Sequence, residues 1–128
     1  YKKNGPNVLG VEALQGDDGC TGVKVNTADG YADYLFSATD IQAHHPSKRV
    51  SFCGRLGLIR EKEGQIQLMY LGCGRSLKKG NFVLESDHDV YAAIYMQHGV
   101  WYYSATGPVR VKIGKETKEL NEGYNQKL

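Results

Sequence analysis

Proline is scarce here, with 3 in 128 residues, and helical patterning is absent. No window carries apolar residues at i, i+3, i+4 and i+7, so no amphipathic helix is predicted. No apolar run approaches the roughly 20 residues of a membrane-spanning helix, and no membrane partner is expected. The chain opens on "YKKNGPN", with neither an initiator methionine nor the apolar stretch of a signal peptide. It is read as a mature chain or an excised piece of a larger protein. Charge of one sign is missing too: 16 basic residues face 14 acidic ones, for a net +2. The densest basic groups, Lys2-Lys3, Lys48-Arg49 and Lys78-Lys79, are short and scattered. They form no electrostatic footprint for nucleic acid, which is not expected as a partner. Three cysteines, Cys20, Cys53 and Cys73, allow at most one internal pair and contain no C-x-x-C spacing. A thiolate zinc site is therefore not expected, and the cysteines read as small buried hydrophobes. No glycine-rich phosphate loop is present.

What the chain has is glycine and tyrosine. The 16 glycines and the 9 tyrosines, against only 3 phenylalanines, suit strands joined by tight turns. Apolar residues recur with period two nearly throughout. Val23 and Val25 alternate with polar neighbours. In "GYADYLFSA", Ala32, Tyr34 and Phe36 form the buried side. Phe52, Leu56 and Leu58 alternate in the next run, with Gly54 as a bulge or close-approach point. Ile66, Leu68 and Tyr70 follow, and later Val90, Ala92, Ile94 and Met96, then Val109, Val111 and Ile113. "EKEGQ", "LKKGN" and "ATGP" read as hairpin connections, and His98-Gly99 as a two-residue turn. "GKETKELNEG" suits either a helical turn or a terminal strand. "DIQAHHPSKR" is the longest polar loop. About eight to ten closely spaced strands predict an all-β fold, an antiparallel two-sheet β-sandwich. Residues 1–128 form a single domain, with a core on Val23, Phe36, Phe52, Leu58, Leu68, Leu71, Ile94 and Val111.

The aromatic residues concentrate in "VYAAIYMQHGVWYYSA", Val90 to Ala105. It reads as a hairpin with Tyr91 and Tyr95 on one face and Ile94 and Met96 on the other. Cross-strand packing explains such rings, each pair adding about 0.2–1 kcal/mol. A half-exposed stacking platform is the functional alternative, because tyrosine and tryptophan combine an apolar face with a polar edge.

The order of motifs resembles a known family. "GVKVNTADGYADYLFSATD", "SFCGRLGLIREKEGQIQLMYLGCGRSLKKGNFVLES" and "DVYAAIYMQHG" together look like the small C-terminal β-domain of heparinase II/III-like, alginate-lyase-like bacterial polysaccharide lyases. The matching residues are Asp33 to Phe36, Gly54 to Arg60 and Leu71 to Leu77, and the likeness runs from about Leu9 to Ile113. The resemblance implies a fragment of a larger enzyme whose catalytic Tyr, His and Asn lie in and beside a helical toroid. No such toroid is present, so no catalytic residue is assigned. The implied location is periplasmic or secreted.

Other constellations carry less. Adjacent histidines on a strand point to opposite faces, so His44 and His45 converge on a metal only from a loop, and no metal or cofactor is expected. Asp17 and Asp18 in "QGDDGC" suit a turn or a weak calcium loop. Asp87 and Asp89 flank His88 in another turn. A Cys–His nucleophile from Cys53 or Cys73 lacks any local signature. Arg55, Arg60 and Arg75 could grip a uronate carboxylate, or pair with Asp33 or Glu63.

The leading expectation is a non-catalytic accessory domain of a polysaccharide-lyase-like protein. It would pack on a catalytic domain and contact acidic polysaccharide. The alternative is a free-standing carbohydrate-binding module with Trp101, Tyr103 and Tyr95 as its platform; Arg55 and Arg60 are the further candidate carbohydrate contacts. A small enzyme ranks below both. A large exposed apolar patch favours the first, a polar-rimmed aromatic face the second, and a deep cleft of titratable groups the third.

Overall fold

The computed structural model describes residues 8–14, 19–47 and 49–128. Lys2-Lys3, the "YKKNGPN" opening, Lys48 and the Asp17-Asp18 pair lie outside the described residues. Within them the chain forms eleven strands: β1 (Val8–Leu14), β2 (Cys20–Thr27), β3 (Tyr31–Ala38), β4 (His44–Ser47), β5 (Val50–Lys62), β6 (Gln65–Lys79), β7 (Phe82–Gln97), β8 (Val100–Ala105), β9 (Val109–Ile113), β10 (Glu116–Leu120) and β11 (Gly123–Lys127). All pairings are antiparallel.

The strands make one continuous sheet with two arms. A broad arm runs β1-β2-β3-β5-β6-β7-β8-β11. A short arm runs β4-β5-β6-β7-β9-β10, using the start of β5, the end of β6 and the start of β7. The three long strands thus serve both arms and bend between them. Bulges make that corner, as they do where strands pass from one layer to another. On β6, Cys53 pairs with Ser76 and Gly54 with Gly74, leaving Arg75 without a partner on β5. On β7, Glu85 pairs with Ser76 and Val90 with Gly74, so Ser86 to Asp89 bulge out opposite Arg75 alone.

Glycine permits the corner. A Cβ on Gly74 would stand 2.6 Å from the Cys53 carbonyl oxygen and 2.7 Å from the Gly54 Cα. No side chain fits that approach. The hairpin turns follow the expected chemistry. Glu63-Gly64 has φ of 53° and 78°, and His98-Gly99 has 52° and 77°, the left-handed pair that tight hairpins require.

The arms fold toward each other over one apolar cluster. One inner row crosses eight strands as Leu14, Gly22, Phe36, Gly57, Leu71, Ala92, Ala105 and Gly123. Large and small residues interleave: Gly22 accommodates Leu14 and Phe36, and Gly57 accommodates Phe36 and Phe52. Phe36 of the broad arm meets Phe52 of the short arm at 5.9 Å between ring centroids, and Phe82 meets Trp101 at 6.0 Å.

Several expectations are corrected. Phe36, Phe52, Leu71, Ile94 and Val111 are core residues, but Val23, Leu58 and Leu68 are half-buried on the opposite face. The alternation slips at the bulges. Arg60 pairs with Leu68 and Glu61 with Ile66, so Gln67 is extra, and Ile66 and Met69 turn inward instead of Leu68. "ATGP" is no hairpin: it carries the chain from β8 in the broad arm to β9 in the short arm. Of the two readings of "GKETKELNEG", the strand holds, as β10. "DIQAHHPSKR" holds the short strand β4, and His44 there is buried beside Asp40, with Nε2 at 2.7 Å from Oδ1, not on a solvated loop.

Candidate functional site

The outer face of the broad arm is the unusual surface. Cross-strand partners share a face, so its rows can be read from the pairing. One row runs Ala13, Val23, Leu35, Leu58, Tyr70, Ala93 and Ser104. The next runs Val11, Val25, Asp33, Arg60, Leu68, Tyr95 and Tyr102. A sheet with one wet face should alternate apolar-in and polar-out. Here both faces are largely apolar. Val11 is 65% exposed, Leu56 50% and Leu35 39%.

The face divides chemically. From β1 to β5 its middle is aliphatic, crossed by the Arg60–Asp33 ion pair, with Tyr31 and Lys62 beside that pair. Arg60 grips Asp33 with both nitrogens, at 2.7 and 2.9 Å, and lies 4.9 Å over the Tyr31 ring. The hydrogen bond to Asp33 raises the Arg60 pKa further above its ordinary value, so the pair is a fixed polar point in an apolar field.

From β6 to β11 the face becomes aromatic. The Tyr70 ring lies over Gly72, where a Cβ would come within 3.1 Å of it. Tyr95 and Tyr102 stack with centroids 6.1 Å apart and planes 15° apart. The Tyr95 hydroxyl donates to Asn125 Oδ1, and the Asn125 backbone N–H donates to Ser104 Oγ at 2.9 Å. These bonds hold Asn125 at a φ of 55° within the bulge between Gly123 and Gln126, beside Tyr124. Tyr91 is pinned through its backbone: its N–H donates to Thr106 Oγ1 and its carbonyl accepts the Thr106 N–H, both at 3.0 Å. Tyr70, Tyr91 and Tyr124 then border a groove of about 580 Å³ with Ser104, Thr106 and Glu122.

Of the residues expected to bind carbohydrate, Trp101, Tyr103 and Tyr95 do not share one face. Trp101 and Tyr103 face inward, Trp101 against Phe82 and Tyr103 buried with its hydroxyl donating to the Asn121 carbonyl at 3.1 Å. Tyr95 and Arg60 share an outer row, separated by Leu68. Arg55, at the corner, donates to the Thr39 carbonyl at 2.9 Å. Alternation along β7 and β8 already separated Tyr95 from Trp101 and Tyr103. Tyr70 and Tyr124 had no such signal: Tyr70 sat in a run whose phase the Gln67 bulge reverses, and Tyr124 in a tail without pattern.

The charged clusters are structural pairs. Arg75 donates to Asp89 at 2.9 Å and closes the β7 bulge, while Ser86 Oγ donates to the Pro108 carbonyl at 2.7 Å. Burial opposes ionisation of Glu85, but the hydrogen bond from Arg110 and the nearby Lys78 outweigh it and hold its carboxyl below the usual 4.5. Arg110 also reaches Glu119 at 3.5 Å. Burial pushes the Cys53 thiol up, away from a nucleophilic thiolate. Cys53 and Cys73 are thiols. Among the described residues no three His, Cys, Asp or Glu side chains converge as metal ligands.

Residues 8–96 match the family model described as the endo-acting ulvan lyase C-terminal domain. No curated protein and no solved structure matches the chain. The match spans well over half of the sequence, and the chain belongs to that family of polysaccharide-lyase C-terminal domains.

Proposed function

We propose that this chain is a non-catalytic accessory domain that packs on the catalytic domain of a polysaccharide lyase through the aliphatic part of its outer face. The carrying observation is that face itself, where Val11, Leu35 and Leu56 are exposed in rows continuous with Val23, Val25 and Leu58. An exposed apolar surface of this kind, with the Arg60–Asp33 ion pair already satisfied, suits a protein partner. In this reading the two arms act as the layers of an antiparallel sandwich, and the broad layer is covered a second time by the partner. Membership of a C-terminal domain family supports a partner elsewhere in the same parent protein. A heparinase II/III-like parent, a periplasmic or secreted location and contact with acidic polysaccharide complete the proposal.

Hydroxyl-radical footprinting tests it. Leu35 and Leu56 should label freely in this chain alone and be protected when it is joined to its parent's catalytic part. Equal labelling in both would remove the docking face.

The aromatic groove favours a second reading, a carbohydrate-binding role, but through Tyr70, Tyr91 and Tyr124 rather than through Trp101 and Tyr103.

A further inference from the structure

The groove beside β7, β8 and β11 is chemically distinct from the aliphatic docking face. Three features define it. Its walls are tyrosines, Tyr91 at 54% and Tyr124 at 80% exposure, with Tyr70 laid over Gly72. Ser104 and Thr106 line it with those rings. Its charged side chain is an acid, Glu122, and the described residues lining it include no lysine or arginine.

Rings flanked by hydroxyl and carboxylate groups suit a saccharide. Its C–H faces pack on aromatic carbon and its hydroxyls exchange hydrogen bonds with the polar edges. The charge then selects among saccharides. A uronate or sulfate would face Glu122 with no cation to offset the repulsion, and like charges brought together in a half-dry groove disfavour binding. A neutral ring meets no such penalty, and its hydroxyls can donate to the Glu122 carboxylate in charge-assisted bonds.

We infer that this groove binds an uncharged sugar unit of the polysaccharide, held between Tyr91 and Tyr124, and leaves the acidic units to other surfaces. The inference deepens the carbohydrate reading and rests on it, while the docking of the aliphatic face stands or falls separately.

The groove is positioned by its neighbours rather than by flexible loops. Thr106 fixes the backbone of Tyr91, and Ser104 fixes that of Asn125 beside Tyr124. Gly72 leaves room for the Tyr70 ring. Preorganisation of this kind reduces the ordering that binding requires.

The test uses soluble ulvan and the same polymer after chemical reduction of its carboxylates and removal of its sulfate, titrated into the 128-residue chain carrying isotope-labelled tyrosine. Saturable shifts of Tyr91 and Tyr124 with the uncharged polymer, as strong as or stronger than with native ulvan, are the expected result. Tyr91→Ala and Tyr124→Ala should each weaken binding by about tenfold or more while thermal unfolding is unchanged, because both side chains are exposed. Glu122→Lys should shift preference toward the native, charged polymer. Absence of binding, or weaker binding once the charges are removed, overturns the inference. Footprinting at Leu35 and Leu56 reads the docking proposal independently of either result.

Discussion

Gly74→Ala should be among the most damaging single-methyl changes in this protein. The added Cβ would lie 2.6 Å from the Cys53 carbonyl oxygen, 2.7 Å from the Gly54 Cα and 2.7 Å from Leu71 Cδ1. Two of those three atoms are backbone and cannot rotate away. The third belongs to a fully buried leucine, whose movement would disturb the row from Phe36 to Ala92. Overpacking costs about 1–3 kcal/mol when side chains can adjust. With backbone on two sides the upper end applies, about 3 kcal/mol, a large share of the roughly 5–15 kcal/mol that holds a domain folded. At about 3 °C per kcal/mol for this size, the melting temperature should fall by roughly 10 °C. Two controls separate crowding from strain. Gly10→Ala meets nothing within 4 Å and should be near neutral. Gly64→Ala meets nothing either but sits at φ +78°, so it should lose about 1–2 kcal/mol from backbone conformation alone. Urea unfolding followed by circular dichroism measures all three. If Gly74→Ala is no worse than Gly64→Ala, the close approach of β5 and β6 does not hold the corner.

Other outcomes follow from single contacts. Phe52→Ala empties a fully buried site between Phe36 and Gly57 and should lower stability by about 3–5 kcal/mol in the same assay. Tyr103→Phe removes the hydroxyl that donates to the Asn121 carbonyl; it should cost about 0.5–1.5 kcal/mol and speed amide exchange in β11. Leu35→Asp and Leu56→Asp should leave this chain's stability within about 0.5 kcal/mol while weakening its association with a catalytic domain, measured by calorimetry. Glu85 ionises more readily folded than unfolded, so its stabilisation is complete above the unfolded value of 4.5 and is lost as pH falls through its lower folded value. Glu85→Gln should therefore flatten the stability profile below pH 4.5, as read by thermal unfolding across an acid pH series.

The antiparallel all-β character was legible because period-two alternation and turn chemistry are local. Glu63-Gly64 and His98-Gly99 adopt the left-handed pair that a two-residue hairpin demands, and nothing distant alters that. The phase of the long strands was not legible. β6 carries two residues without a partner on β5, Gln67 and Arg75; Gln67 reverses which side faces inward, and Arg75 sits at the corner. A bulge depends on the partner strand, so no signal for it exists within β6 itself. The same dependence hid the β8-to-β9 crossover, since Gly107-Pro108 fits a turn within one sheet as readily as a passage between arms.

The misplaced core residues bear on the functional face. Val23, Leu58 and Leu68 read as core because they are apolar and alternate correctly, yet they lie on the outer side of the broad arm. A strand such as β5 that presents Leu58 outward and Ile59 inward has the composition of a strand covered on both faces. Solvent on one side of such a strand leaves apolar area uncovered, at about 25 cal/mol for each Å² that a partner could remove from water. The aromatic end differs, because Tyr95 keeps its hydroxyl toward Asn125 and Ser104 and Tyr91 and Tyr124 are exposed. Water is tolerated there, and an exchangeable ligand is favoured over a permanent cover. The same sheet face can therefore hold a protein partner at its aliphatic end and leave its tyrosine end open toward a polysaccharide. Exchange of Leu35 and Leu56 for aspartate should abolish the first without moving the second, and exchange of Tyr91 and Tyr124 for alanine should do the reverse. If either pair of substitutions weakened both interactions equally, the division of the face would be wrong.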